Sequence, residues 1–184
     1  MTVTRLVTID DAAQLADLVT LNREFLAPWE PMRPDDYFTR HGQQAIISDA
    51  LGRCEAGTTL PHVILGAAGE IVGRITLNGI VRGPFQSCSV GYWVSAESNG
   101  QGRATAALGH IVAVAFGGLG LHRIQAETLE HNLKSQRVLE RNGFVRIGLA
   151  PRYLCIAGRW QDHLIYQVIN TSYEEPRAAN GSDQ

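Results

Sequence analysis

"VGYWVSAESNGQGRAT", residues Val90 to Thr105, joins two kinds of pattern. Its first half reads as the end of a strand, and its second half opens an alanine-rich helical run. Between them stand Gly100 and Gly102. Consecutive N–H groups at such a helix start lack partners within the helix, and the helix dipole adds partial positive charge. Without a Cβ at either glycine, an anion can lie directly on those amides. A plain strand-to-helix connector would use the same residues, so the turn alone leaves both readings open. No Lys-Ser/Thr pair follows it, which excludes a nucleoside-triphosphate loop. It also comes after several antiparallel strands, whereas a dinucleotide fingerprint sits on the first βα turn of a βαβ unit.

Outward from this turn the periods alternate. Downstream, Leu108, Ile111, Val112, Ala115 and Phe116 fall at core spacing on a helix that Gly117-Gly118 ends. A strand over Arg123–Glu130 follows, then a helix over Asn132–Asn142 with Gly143 at its C′ position. Two last strands, Phe144–Ile156 and Trp160–Ile169, turn at Ala157-Gly158-Arg159. Upstream, His62–Gly66, Ile71–Asn78 and Ser87–Ser95 read as successive antiparallel strands. The N-terminal part predicts a strand over Arg5–Ile9, a helix capped by Asp10 and Asp11 and running through Asn22, and a second helix over Asp35–Cys54. Pro28, Pro31 and Pro34 break the stretch between the helices into an ordered loop carrying Trp29 and Met32. The order β-α-α-β-β-β-α-β-α-β-β predicts an α/β (α+β) fold. Its sheet is mixed, mostly antiparallel and seven-stranded, with about four helices, in one domain over residues 1–170. Residues 171–184 are polar and predict a disordered tail.

A chain of 184 residues with 45% hydrophobic content can build one full core. Its net charge of -2 gives no general attraction to nucleic acid or anionic membrane, so any phosphate must be held by local groups. Cys54, Cys88 and Cys155 are odd in number and widely spaced, which predicts neither a disulfide framework nor a metal site. Met1-Thr2-Val3-Thr4 leads into a strand without a signal-peptide pattern, and no apolar run is long enough for a bilayer. A cytoplasmic location is the expectation.

"VGYWVSAESNGQGRAT" followed by "HRIQAETLEHNLKSQRVLERNGF" resembles the GNAT superfamily of acetyl-CoA-dependent N-acetyltransferases. The family's turn pattern is [Q/R]-x-x-G-x-[G/A]. Here Gly102 and Ala104 match its small positions, and Asn99 departs from Gln or Arg. The second motif matches at Asn132, Ser135, Glu140, Gly143 and Phe144. "NREFLAPWEPMR", "IVRGPF" and "YLCIAGRWQDHL" are closer still to the RimJ-type ribosomal-protein-alanine N-acetyltransferases.

The resemblance implies roles. The fourth and fifth strands would splay apart, and the backbone of Tyr92, Trp93 and Val94 would pair with the pantetheine arm of acetyl-CoA. Gly100, Gln101, Gly102, Arg103, Ala104 and Thr105 would cradle its pyrophosphate, with Arg103 either adding charge or simply solvated. Asn132 would hydrogen-bond the pantetheine or serve only as a helix N-cap. Ser135 would donate to the leaving thiolate. Glu127 stands where RimI-type relatives place a catalytic Glu, and its orientation hangs on strand register. Leu139 occupies the place of the RimI-type proton-donating Tyr, and Leu154, beside Tyr153, that of the RimL-type Glu. Ordered waters are the alternative base. Glu30 and Glu24 are candidates for the acceptor's ammonium, and Trp29 and Tyr153 for its walls. Asp162-His163 reads either as a functional pair or as a structural histidine beside a carboxylate.

The activity implied is acetylation of the N-terminal alanine of a ribosomal protein, by direct attack in a ternary complex. Acetylation of a small amine, such as an antibiotic or an aminoacyl nucleotide, uses the same machinery. A non-catalytic acyl-CoA sensor is the reading from another class. No nucleic-acid or membrane partner is expected, and a monomer and a homodimer are both open.

Overall fold

The computed structural model describes residues 3–173. Seven strands form one sheet: β1 (Thr4–Leu6), β2 (Leu60–Leu65), β3 (Ile71–Val81), β4 (Ser87–Val94), β5 (Arg123–Leu129), β6 (Val145–Ile156) and β7 (Arg159–Ile169). Their spatial order is β1-β2-β3-β4-β5-β7-β6. Every neighbouring pair is antiparallel except β4 with β5. The helices are α1 (Ala12–Leu21), α2 (Arg23–Leu26), α3 (Arg40–Glu55), α4 (Arg103–Ala113) and α5 (Leu133–Arg141). The mixed seven-stranded α/β architecture is as expected, with one short helix more.

Two apolar clusters sandwich the sheet. Leu108 and Ile111 of α4 and Leu139 of α5 pack on Ile75, Leu77 and Ile124. On the other face Leu15 of α1 and Ile47 of α3 pack on Val63 and Ile71. Fully burying each such side chain contributes about 1.5–3 kcal/mol.

Several boundaries differ from expectation, each for a local reason. The first strand stops at Leu6 because Thr8 and Asp11 close a 3-10 turn over Ile9–Asp11: the Thr8 N–H donates to Asp11 Oδ2 at 2.8 Å. Asp11 therefore does not cap α1 with its side chain, and its other oxygen accepts from Arg5 Nη2 at 2.7 Å. The Arg5 hydrogen bond, ahead of the Thr8 amide, holds the Asp11 carboxyl below its ordinary pKa against the opposing effect of burial. The proline-rich loop begins with the extra helix α2. The second long helix starts at Arg40, not Asp35, because the chain first makes a 3-10 turn over Asp35–Phe38. Thr39 then goes extended and caps α3, its side-chain oxygen accepting the Gly42 N–H. In the expected tail, Tyr173 packs edge-on against His122, at 5.1 Å between ring centroids. The rest of that tail lies outside the described residues.

The parallel pair matters most. β4 and β5 pair only over Ser87–Ser89 and Arg123–Gln125. Beyond that short ladder the two strands have no common register, so Val90–Val94 faces a gap. The expected splay is present.

Candidate active site

The alternation of β4 decides what the gap contains. The Ser95 N–H donates to Val72 O at 2.8 Å, and a Cβ on Gly73 would collide with the Trp93 carbonyl, so both of these backbone groups point to β3. Strand period then turns the backbone N–H and C=O groups of Tyr92 and Val94 toward the gap. The Trp93 backbone is spent on β3, contrary to expectation, and its indole instead lines the cleft.

Gly100 and Gly102 have φ of 79° and 77°, a left-handed conformation that an L side chain resists. This bends the chain so that Gly102 can precede α4 with its amides open. A cavity of about 460 Å³ covers the turn and is lined by Gly100, Gly102, Arg103, Ala104 and Thr105. Lys134, Arg137 and Arg141 of α5 line it too. The local sequence around the turn holds no Lys, and these three cations come from a helix about 30 residues away, so only the packing of α5 beside α4 reveals them. Gln101 does not contribute its side chain, which turns back to donate to Glu97 O at 2.7 Å.

Asn132 is a working N-cap: its Oδ1 accepts the Ser135 N–H at 3.1 Å. That cap sets the first turn of α5 and with it Ser135. The Ser135 hydroxyl lies 3.0 Å from the Tyr92 hydroxyl. Burial, against the Ser135 hydrogen bond, pushes the Tyr92 phenol up to about 12, so it keeps its proton near neutrality. Tyr92 was expected only as backbone, and nothing in its strand position advertised this side-chain partner.

Two cavities meet here. One, of about 460 Å³, lies on the α4–α5 side and includes Val94 and Lys134; the other, about 530 Å³, opens on the opposite face and includes Glu127 and Arg74. Tyr92, Trp93, Asn132 and Ser135 line both, so a passage runs through the sheet at the splay.

Glu127 faces this passage from β5. Its Oε1 accepts from Gln125 Nε2 at 2.6 Å, and Gln125 in turn accepts from Arg123 Nη2 at 2.6 Å. Tyr153 stands beside it: burial first, then the Glu127 charge, raises the Tyr153 phenol above its ordinary pKa. A β6 irregularity between Ala150 and Leu154 aims Tyr153 there, held by Asp162 Oδ1 accepting the Arg152 N–H at 2.8 Å.

That contact corrects the Asp162-His163 pair, because neighbours in a strand point to opposite faces. His163 is buried and lines the Glu127 cavity, its Nδ1–H donating to Gln161 O at 2.9 Å. Trp29 is 37% exposed, stacks near His131 at 5.5 Å between centroids, and walls both cavities. Glu30 lines the Glu127 cavity, and its carboxylate accepts from Arg33 Nε at 3.5 Å. Burial raises its pKa, and the positive charges of Arg33 and Arg74 oppose that. Glu24 is exposed on α2 and lines neither of these two cavities.

A family model described as "Acetyltransferase (GNAT) domain" matches residues 2–145. The chain belongs to the GNAT acetyltransferase family. This acetyltransferase is 34% identical over 164 residues to the [ribosomal protein uS5]-alanine N-acetyltransferase of Escherichia coli (strain K12), covering 89% of this chain and 84% of that one. It is also similar to the solved ribosomal-protein-S5-alanine acetyltransferase from Vibrio fischeri, with a TM-score of 0.89 and 32% identity over 94% of both chains. Mycobacterium smegmatis RimJ, solved in complex with CoA-disulfide, superposes with a TM-score of 0.86 at 35% identity, over 90% of this chain and 80% of that one. The GNAT acetyltransferase is therefore close to the RimJ type, and acetyl-CoA is its co-substrate. Among the described residues no helix is long and apolar enough to cross a membrane.

Proposed function

We propose that the enzyme, a single domain over residues 1–170 acting in the cytoplasm, acetylates the N-terminal amine of a protein, a ribosomal protein with a leading alanine being the favoured acceptor. The observation that carries this reading is the passage where Tyr92, Trp93, Asn132 and Ser135 line cavities on both faces of the sheet. Two substrates entering from opposite faces meet there without a covalent enzyme intermediate.

The open amides around Gly100 and Gly102, with Arg103, Lys134 and Arg137 nearby, suit a pyrophosphate. The gap-facing backbone of Tyr92 and Val94 suits the amides of a pantetheine arm laid in as an added strand. The acceptor amine must be neutral to attack, and Glu127 takes its proton. Nitrogen bonds to the acetyl carbon, the carbon–sulfur bond breaks, and Ser135 donates its proton to the departing thiolate, regaining one through solvent as Glu127 releases the proton taken from the amine. The Tyr92 hydroxyl lies within hydrogen-bond distance of Ser135 Oγ and of the Ser135 carbonyl, and when it donates to Oγ the serine proton is free for the sulfur.

The test is thiol release from acetyl-CoA with a panel of acceptors. Turnover of an alanine-headed peptide, abolished when its amine is blocked, supports the reading. Turnover confined to amino sugars or aminoacyl nucleotides moves the enzyme to a small-amine substrate. Binding of acetyl-CoA with no turnover of any acceptor favours a sensor.

A further inference from the structure

Arg74 has no role in the chemistry above. It stands on β3 opposite Trp93, on the face turned away from the core residue Ile75. It is partly buried and lines the Glu127 cavity. Among the described residues its guanidinium has no hydrogen-bond or ion-pair partner, although the Glu30 carboxylate lies near enough for the two charges to act on each other. Arg33, in the same cavity, is engaged twice over: it bonds Glu30 at 3.5 Å, and its guanidinium lies 4.6 Å from the Tyr37 ring centre. The donors of Arg74 are therefore the free ones. A guanidinium withdrawn from water without a partner is unfavourable, and a bidentate carboxylate is the group that best compensates it.

We infer that Arg74 binds a carboxylate on the acceptor, making the enzyme selective for N-termini with an acidic residue a few positions from the amine. The inference rests on the protein N-terminus reading given above. Glu127 and Arg74 line the same cavity, one from β5 and the other from β3. β4 lies between the two strands, its Trp93 opposite Arg74 and its Ser89 opposite Gln125, before β5 splays away. Two strand spacings, the second widened by the splay, put the Glu127 and Arg74 backbones at least about 10 Å apart. An extended peptide needs about three residue steps or more to cover that distance. The carboxylate therefore belongs to a residue a few positions in from the amine, within side-chain reach of positions three to five.

The experiment compares alanine-headed peptides carrying Glu, Gln or Lys at position three, four or five, with wild type, Arg74→Met and Arg74→Lys. Wild type is expected to favour Glu over Gln by about tenfold in kcat/KM, with Lys poorest. Arg74→Met levels the three while keeping its turnover of the Gln peptide, and Arg74→Lys falls between. Equal turnover of all three by wild type overturns the inference and leaves the N-terminal reading standing. A Glu preference that survives in Arg74→Met overturns it as well. If Arg74→Met does not fold, the wild-type ratio decides alone. Silence with every peptide overturns the N-terminal reading and this inference together.

Discussion

Tyr92 of β4 and Ser135 of α5 join hydroxyls at 3.0 Å, across 43 residues of sequence. A strand that has lost its neighbour and a helix start fixed by its own N-cap meet at this bond. Ser135→Ala removes the proposed donor to the leaving thiolate. It should lower kcat by roughly 10²-fold, with KM for acetyl-CoA nearly unchanged, because general-acid donors contribute about 10²–10⁴-fold. Tyr92→Phe should cost less, about tenfold, since Ser135 still holds a proton. Steady-state kinetics check both. A Ser135→Ala enzyme as fast as wild type would remove the serine from the mechanism.

Glu127 is held by Gln125 and flanked by Tyr153. Glu127→Gln should lower kcat/KM by about 10²-fold while moving the thermal midpoint little, because the site is partly exposed and the change nearly isosteric. Raising the pH should restore part of the rate, since more of the acceptor amine is then already neutral. A rate loss that does not ease with pH would point away from a proton acceptor.

Gly102 sits at φ 77°, and an added Cβ there meets no atom within 4 Å. The cost of Gly102→Ala is conformational, roughly 1–2 kcal/mol for a left-handed L residue. Relaxing that strain moves the turn, so KM for acetyl-CoA should rise while KM for the acceptor holds. Calorimetry and a two-substrate kinetic matrix read the two effects apart.

His62 and His110 both bring Nδ1 to the Thr4 hydroxyl, at 2.9 and 2.7 Å. Burial first, then the charge of His110, pushes the His62 pKa from 6.5 down to about 4. The unfolded chain therefore takes up this proton below pH 6.5 while the folded chain resists it until about pH 4. Stability is full above that window and is lost as pH falls through it. The thermal midpoint should drop from pH 7 toward pH 4.5, and His62→Gln should flatten the slope. An equal slope in both proteins would show that other groups set it.

Thr128 Oγ1 is buried with no hydrogen-bond partner among the described residues. Thr128→Val keeps the shape and removes the orphan, so it should stabilise by about 1 kcal/mol. A denaturant midpoint lower than wild type would mean that the hydroxyl has a partner in solution.

Much of the frame was legible in the chain. Strand and helix periods placed all seven strands, and Gly143 marked the end of α5 because its φ of 78° asks for glycine. The N-terminal boundaries slipped where side chains compete for backbone, as Asp11 does for Thr8 and Thr39 for Gly42. Such bonds are worth about as much as a residue of helix propensity, so periodicity cannot rank them.

By itself the sequence determined the order of the strands, the glycine turn, the helix start at Asn132 and hence the family, because these are local patterns of spacing. Only the tertiary structure decided which side chains share the passage. The splay of β4 from β5 lets Tyr92 reach Ser135, α5 brings Lys134 and Arg137 to the glycine turn, and β3 turns Arg74 into the Glu127 cavity with no ion pair among the described residues. The physical reason is range: hydrogen bonds and charges act over a few ångströms of space, and a sequence specifies those distances only once its apolar faces have packed.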